Sequence, residues 1–365
     1  MKKIVKGFVW SVRRSSNSER PGWRSRTRRV LSLHASRVAL KITLALHASL
    51  FMLNGSAGAA TATADFLNVA PDSRSAALGG SGVADPDNGF AVFHNPALPA
   101  AADATLRVAA GQTQWLAGSQ LSHYAADVRR ADGDGAWALS ASVSQWSGPD
   151  FQTTDSVGNI TGRDSYRART VGAGLSRSWG ENISAGAAVK RLSQGFAGQV
   201  AASASGTAWD AGVFARGGDG RWTAGAVLQN EGAAAGLGGG RERLPATARA
   251  GLQWRPGSRQ FAWTTEVSRS QDTGWTVAGG LGFSILPGFI LRGGYDGRTA
   301  GSRYAGLTSG IGIAFKGFTF DYAFTPFGDL GNAQRISLAW TYGGRTAAPE
   351  PPRRQANRRA VSWTR

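Results

Sequence analysis

Trp137-Ala138-Leu139-Ser140-Ala141-Ser142-Val143-Ser144 decides the fold. In a strand, successive side chains point to opposite faces. Trp137, Leu139, Ala141 and Val143 therefore share one apolar face, and Ser140, Ser142 and Ser144 share a small polar one. The same alternation returns about every 20 residues, in pairs, from Leu106 almost to Tyr342. Repeated alternating segments of roughly ten residues are the sequence signature of a transmembrane β-barrel, weak in each segment and strong in aggregate.

Fourteen strands can be drawn, over 105–115, 119–130, 136–146, 165–179, 183–192, 204–216, 221–230, 245–256, 260–268, 275–286, 289–296, 303–315, 318–325 and 333–343. Short connections such as Asp132-Gly133-Asp134-Gly135, Gly180-Glu181-Asn182 and Leu286-Pro287-Gly288 have the chemistry of tight turns. Longer polar loops alternate with them: Ser147 to Asp164, Ser193 to Ser203, Glu231 to Arg243 and Asp296 to Ser302. Short turns on one rim and long loops on the other are expected of a membrane barrel, with the long loops outside the cell. Closure is expected too, because an open sheet in lipid leaves its edge N–H and C=O groups unpaired. Fourteen strands enclose a lumen too wide for wall side chains alone to fill.

Aromatic residues gather near strand ends, among them Trp146, Trp179, Trp222, Trp254, Phe318 and Trp340. Two readings are open, an interfacial girdle in a membrane or the core of a soluble sandwich. The asymmetry of the connections favours the girdle.

The formal charge of +18 does not belong to the barrel. Residues 1–59 hold 12 Lys/Arg against one acid, and residues 345–365 hold six Arg against one Glu. The body between them is nearly neutral, with 23 basic and 21 acidic residues. A nucleic-acid-binding domain would carry its surplus on the folded part, so nucleic acid is not an expected partner. With no Cys in the chain, disulfides and thiolate chemistry are excluded.

Arg37 and Lys41 precede a short apolar run, Ile42 to Leu53, and then Ala57-Gly58-Ala59 and Ala60-Thr61-Ala62. A basic flank, short apolar run and A-x-A site read as a secretory signal peptide. The Arg- and Ser-rich stretch before it is read as a long leading region or a late true start, with an organelle transit peptide as the competing reading. The expected division is 1–59 as extension and signal peptide, 60–104 as a segment ahead of the sheet, 105–343 as the barrel and 344–365 as a basic tail. The tail is read as a solvated extension, or as a contact for an anionic partner.

The start of the body reads Asp65-Phe66-Leu67-Asn68-Val69-Ala70-Pro71-Asp72-Ser73-Arg74-Ser75-Ala76-Ala77-Leu78-Gly79-Gly80 and continues to Asn95-Pro96-Ala97-Leu98. Leu244-Pro245, Leu291-Arg292-Gly293-Gly294-Tyr295, Asp321-Tyr322-Ala323-Phe324 and Arg335-Ile336-Ser337-Leu338 follow. Over about 65–343 this resembles the PorV/PorQ family of outer-membrane proteins, related to FadL-type fatty-acid transporters. The resemblance implies a fourteen-stranded all-β transmembrane barrel whose N-terminal segment enters the lumen as a plug or hatch. It implies passage or binding of a hydrophobic small molecule; the alternative is a type IX secretion or surface-attachment accessory that handles secretion-machinery proteins. Outer-membrane lipid is the other implied partner.

Plug and lumen candidates are Phe66, Arg74, Gly79, Gly80, His94, Asn95, Pro96, Asp210 and Asp321. Small residues permit close packing of the segment, and Asn95-Pro96 favours a turn. Asn95 is expected to pair with lumen backbone. Arg74 is expected either to meet Asp210 or Asp321 or to remain a solvated charge. Asp210 and Asp321 sit in alternating strands and should face inward, since a carboxylate facing lipid is costly. One departure from the family pattern is the tail after Trp340-Thr341-Tyr342, where such barrels end on the last strand. No catalytic, cofactor or metal site is expected. There is no G-x-S-x-G, P-loop or H-E-x-x-H motif, and His123 beside Ser122 is the one formal acid–base candidate.

Overall fold

The computed structural model describes residues 64–198, 202–237, 240–256, 260–270, 274–299 and 306–343. The chain divides into residues 1–48, which lie outside this set, and residues 49–365, which hold the sheet. The signal peptide, its cleavage sites and the basic tail also lie outside the described residues.

The strands are β1 (Leu106–Gln114), β2 (Gln120–Asp132), β3 (Gly135–Thr154), β4 (Ile160–Trp179), β5 (Ile183–Phe196), β6 (Ser203–Arg216) and β7 (Trp222–Ala235). They continue as β8 (Arg241–Arg243), β9 (Thr247–Trp254), β10 (Phe261–Ser270), β11 (Gly274–Leu286), β12 (Phe289–Asp296), β13 (Leu307–Phe315), β14 (Phe318–Pro326) and β15 (Asn332–Tyr342). Every pairing is antiparallel between neighbours, and β1 pairs with β15 from Leu106↔Tyr342 to Gln114↔Gln334. Fourteen strands thus close into a barrel, and β8 adds only a short hairpin to β7. Closure satisfies the backbone groups that an edge would expose to lipid.

Alternation decides which side is which. On β3, Trp137 and Leu139 face outward and are exposed, while Ala138, Ser140, Ser142 and Ser144 face inward and are buried. Leu175, Val189, Trp209, Leu281, Phe283 and Leu338 continue the outward apolar surface around the ring. Aromatic contacts mark the short-turn rim, with Trp222 and Trp254 centred 5.7 Å apart and Phe318 and Trp340 6.3 Å apart.

Two loop expectations change, and the first is Glu231 to Arg243, which holds the end of β7 and β8, paired from Ala233↔Arg243 to Ala235↔Arg241. The second, the loop read at Ser147 to Asp164, is a continuation of the β3–β4 hairpin, paired from Asp150↔Ser165 to Thr154↔Ile160. Gly148 and Pro149 interrupt the ladder as a bulge, because Pro has no N–H to give, but pairing resumes after them. The true turn is confined to Asp155–Asn159, where the Asp155 carboxylate accepts bonds from the Val157 and Asn159 N–H groups.

Candidate functional site

Residues 64–104 pack against the inward face of the wall, carried by one-turn helices at Ser73–Ala77, Ala91–His94 and Leu98–Ala101. Small side chains let the backbone lie against the strands, and wall side chains then bond that backbone directly. Ser73 N–H donates to Ser337 Oγ at 2.7 Å, and Thr308 Oγ1 donates to Ala77 O and accepts from Gly79 N–H, each at 3.1 Å. Glu266 accepts from the N–H groups of Gly82 (3.0 Å) and Val83 (3.2 Å), while Arg249 holds Gly80 O at 2.8 Å and pairs with Glu266. Arg107, fully buried, pairs with Asp127 at 3.0 Å and donates to the carbonyls of Pro86 and Asn88. Toward the short-turn rim, Ser184, Arg129 and Arg216 bond the carbonyls of Ala97, Ala100 and Ala101.

The wall is thinned where the segment touches it. At Gly186, Gly212, Gly225 and Gly294 an added Cβ would run into Pro96, Asn95, Val83 and the Leu78–Gly79 peptide respectively. Gly79 is constrained twice, by a left-handed backbone (φ +73°) and by the Tyr295 carbonyl against it.

At the centre of the segment, the buried Asp72 carboxylate gathers His94 Nε2 (2.7 Å), Ser75 N–H (2.8 Å), Ser75 Oγ (2.7 Å) and Asn88 Nδ2 (3.1 Å). Burial pushes its acidity toward the neutral form, but the hydrogen bond and charge of His94, with the Ser75 donors, outweigh it. The Asp72 carboxyl is therefore held well below the usual carboxylate range.

The sequence candidates distribute as follows. Phe66 is buried against Trp146, ring centres 6.2 Å apart. Gly80, like Gly79, is left-handed, at φ +84°. His94 is the partner of Asp72, and Pro96 presses its carbonyl on Gly186. Asn95 donates to Val213 O (3.0 Å) and Val83 O (3.2 Å) and accepts from Ala97 N–H. Asp210 and Asp321 face inward, but their partners are Lys190 (2.9 Å) and Arg292 (2.5 Å). The expected pairing of Arg74 with Asp210 or Asp321 is corrected: Arg74 meets Asp85 at 2.7 Å within its own segment. Asp85 and Asp87 are also held by Arg255, so short-range closure of the loop 82–88 wins over a reach to the wall. The residues missed are Arg107, Asp127, Arg249 and Glu266. Each sits at an inward position of an alternating strand, so the rule applied to Asp210 would have found them.

Above the segment, toward the rim of longer connections, lies a cavity of about 440 Å³. Phe66, Leu67, Val69, Trp115 and Phe327 give it an apolar side, with Trp115 and Phe327 edge-on at 5.0 Å. Its other side carries His94, His123, Lys190, Arg249 and Arg335. Arg335 stacks 5.2 Å from the Trp115 ring and donates to Thr325 Oγ1 at 3.0 Å, and it makes no ion pair among the described residues. Its Nε and His123 Nε2 are buried with no hydrogen-bond partner among the described residues. Such a volume, apolar at one end with a few convergent polar groups, has the dimensions of a small-molecule site.

No protein-family model and no curated protein sequence matches the chain. Solved structures do. The toluene transporter TbuX of Ralstonia pickettii superposes with a TM-score of 0.53 at 13% identity, covering 75% of this chain and 98% of its own. The toluene transporter TodX of Pseudomonas putida gives 0.50 at 12% identity, over 73% and 95%. The fold is FadL-like. Both neighbours are described as toluene transporters. Ser122 faces away from the lumen, and His123 instead bonds Ser144 Oγ at 3.0 Å with no carboxylate on its other nitrogen. Among the described residues no cluster of His, Asp and Glu could hold a metal ion.

Proposed function

We propose that the protein is an outer-membrane channel for a hydrophobic or amphipathic small molecule, with residues 64–104 as the plug that the solute must pass. The observation that carries this is the cavity floored by the segment itself, Phe66 to Pro71 and His94, beneath an aromatic side at Trp115 and Phe327. Both FadL-like neighbours are described as toluene transporters, which favours an apolar solute. The unpaired Arg335 guanidinium favours one that also bears a polar or anionic end. The signal peptide over 37–62 delivers the chain, and the long-connection rim faces outside.

Titration of the purified barrel with toluene and with palmitate, read by tryptophan fluorescence, tests this. Both should bind, and Arg335→Met should weaken palmitate about tenfold or more, about 1.4 kcal/mol, while sparing toluene. Absence of binding by either probe, together with unchanged uptake in a deletion strain, sinks the proposal. The accessory alternative rests on the residues shared with the PorV/PorQ pattern, Phe66 to Ala97. It requires that deletion alter the set of surface-attached proteins.

A further inference from the structure

The outer wall carries one polar surface that solute passage does not use. On β2 to β6 the lipid-facing side changes character part-way along each strand. Tyr124, Val143, Val171, Val189 and Trp209 are the last large apolar or aromatic residues below that point. Above them stands a row in direct register, Ser122–Gln145–Arg169–Ser193–Ser205, all pointing outward. The next row is Gln120–Ser147–Arg167–Gly195–Ser203. Arg191 joins from β5, where it pairs in register with Val171.

Arg167 and Arg169 are exposed, two residues apart on one face of β4, and so about 7 Å from each other. Neither has a hydrogen-bond or ion-pair partner among the described residues. Arg191 bonds only hydroxyls, Ser205 at 2.8 Å and Thr207 at 3.2 Å, so its charge is also uncompensated. A groove of about 800 Å³ runs along this surface, lined by Gln145, Arg167, Arg169, Ser193 and Ser205 and by no carboxylate. On β11 to β15, by contrast, no charged side chain faces outward among the described residues.

Three cations on a lipid-facing wall are costly in hydrocarbon and favourable at a headgroup layer that carries anions. The forked guanidinium donors match phosphate oxygens, and hydroxyl and amide side chains between them suit a sugar. We propose that Arg167, Arg169 and Arg191 form a docking site for the phosphorylated head group of an outer-leaflet glycolipid. This rests on the outer-membrane orientation with the long connections outside, and it does not depend on the solute.

The test uses the full mature chain in detergent micelles, with lipid A and dephosphorylated lipid A as probes and retained lipid read by mass spectrometry. The wild type should retain lipid A at least tenfold better than the R167Q/R169Q/R191Q variant, and dephosphorylated lipid A should bind the wild type at the variant's level. Toluene binding and heat-modifiable migration of the variant should match the wild type, showing an intact barrel. Equal retention of lipid A by variant and wild type overturns the site, as does equal retention of the dephosphorylated lipid or of phosphatidylglycerol. A barrel that retains lipid A but binds neither toluene nor palmitate leaves this site standing and removes the channel reading instead.

Discussion

The two halves of the barrel wall are built to different lengths. Strands β2 to β7 run 13 to 20 residues, whereas β9 to β15 run 8 to 13. A strand tilted by about 45° needs roughly 9–11 residues to cross a bilayer. The second half therefore only just spans, and its apolar outer face reaches almost to the strand ends at Trp275, Tyr295 and Leu307. The first half has length to spare, and spends it on the polar rows above Val143 and Val171 and on the hairpin to Asp155. Inside, the division is different. The second half grips residues 73–83 through Ser337, Thr308, Glu266 and Arg249, and the first half grips residues 97–101 through Ser184 and Arg129, with Arg107 on the short adjoining β1 holding Pro86 and Asn88. Lipid contact follows strand length, whereas segment contact follows the inward charges, which both halves share.

The strongest way to break this comparison is Glu266→Ala. It strips the buried acceptor from Gly82 and Val83 and leaves Arg249 unpaired, an expected loss of about 3–5 kcal/mol in docking of the segment. Proteolysis within 70–90 should accelerate while the barrel keeps its heat-modifiable migration; an unchanged cleavage rate would refute the grip assigned to the second half. Gly79→Val should cost about 1–3 kcal/mol, from backbone strain and contact with the Tyr295 carbonyl, in the same assay.

Asp72 gives a pH-dependent version. Its folded-state acidity is depressed, so the stabilisation is complete above the ordinary carboxylate value near 4 and is lost as pH falls below it. Hydrogen exchange in 72–95 should therefore rise below about pH 4, and Asp72→Asn should reduce that acid step. The smallest effect is expected from replacing 149–164 with a tight turn. Because that hairpin lies beyond the needed span, unfolding in denaturant should shift by no more than about 0.5 kcal/mol. A larger loss would show that the extra length of the first half is structural.

The strand plan was legible because a wall with lipid on one side and packed polar groups on the other must alternate, and the turns between carry Gly, Asn and Pro. Legibility stopped where that demand stops. Beyond Ser147 neither face is constrained by lipid, so the hairpin to Asp155 carries no clear period and reads as loop. In the segment, Phe66, Gly79, Gly80 and Asn95 stood out through their resemblance to a known pattern, not through any periodicity, whereas Asp72, the centre of its hydrogen bonds, was missed. The partner of Arg74 was not readable, because the loop that brings Asp85 back to it is set by Arg255 on the far wall and by Arg107 on β1. The cavity was invisible for the same reason, since it is the space the segment leaves unfilled.

The seam of the ring joins β1 to β15, and residue 105, at the end of the segment, already bonds both Tyr342 O and Arg129 N–H. The first strand of the chain thus meets the last, and the segment that hangs from it lies directly beside the pairing Leu106↔Tyr342. Pairing across so long a sequence separation is the slowest kind of contact to make. The segment and the seam share one end of the chain: the strand that closes the ring is also the strand from which the interior segment hangs.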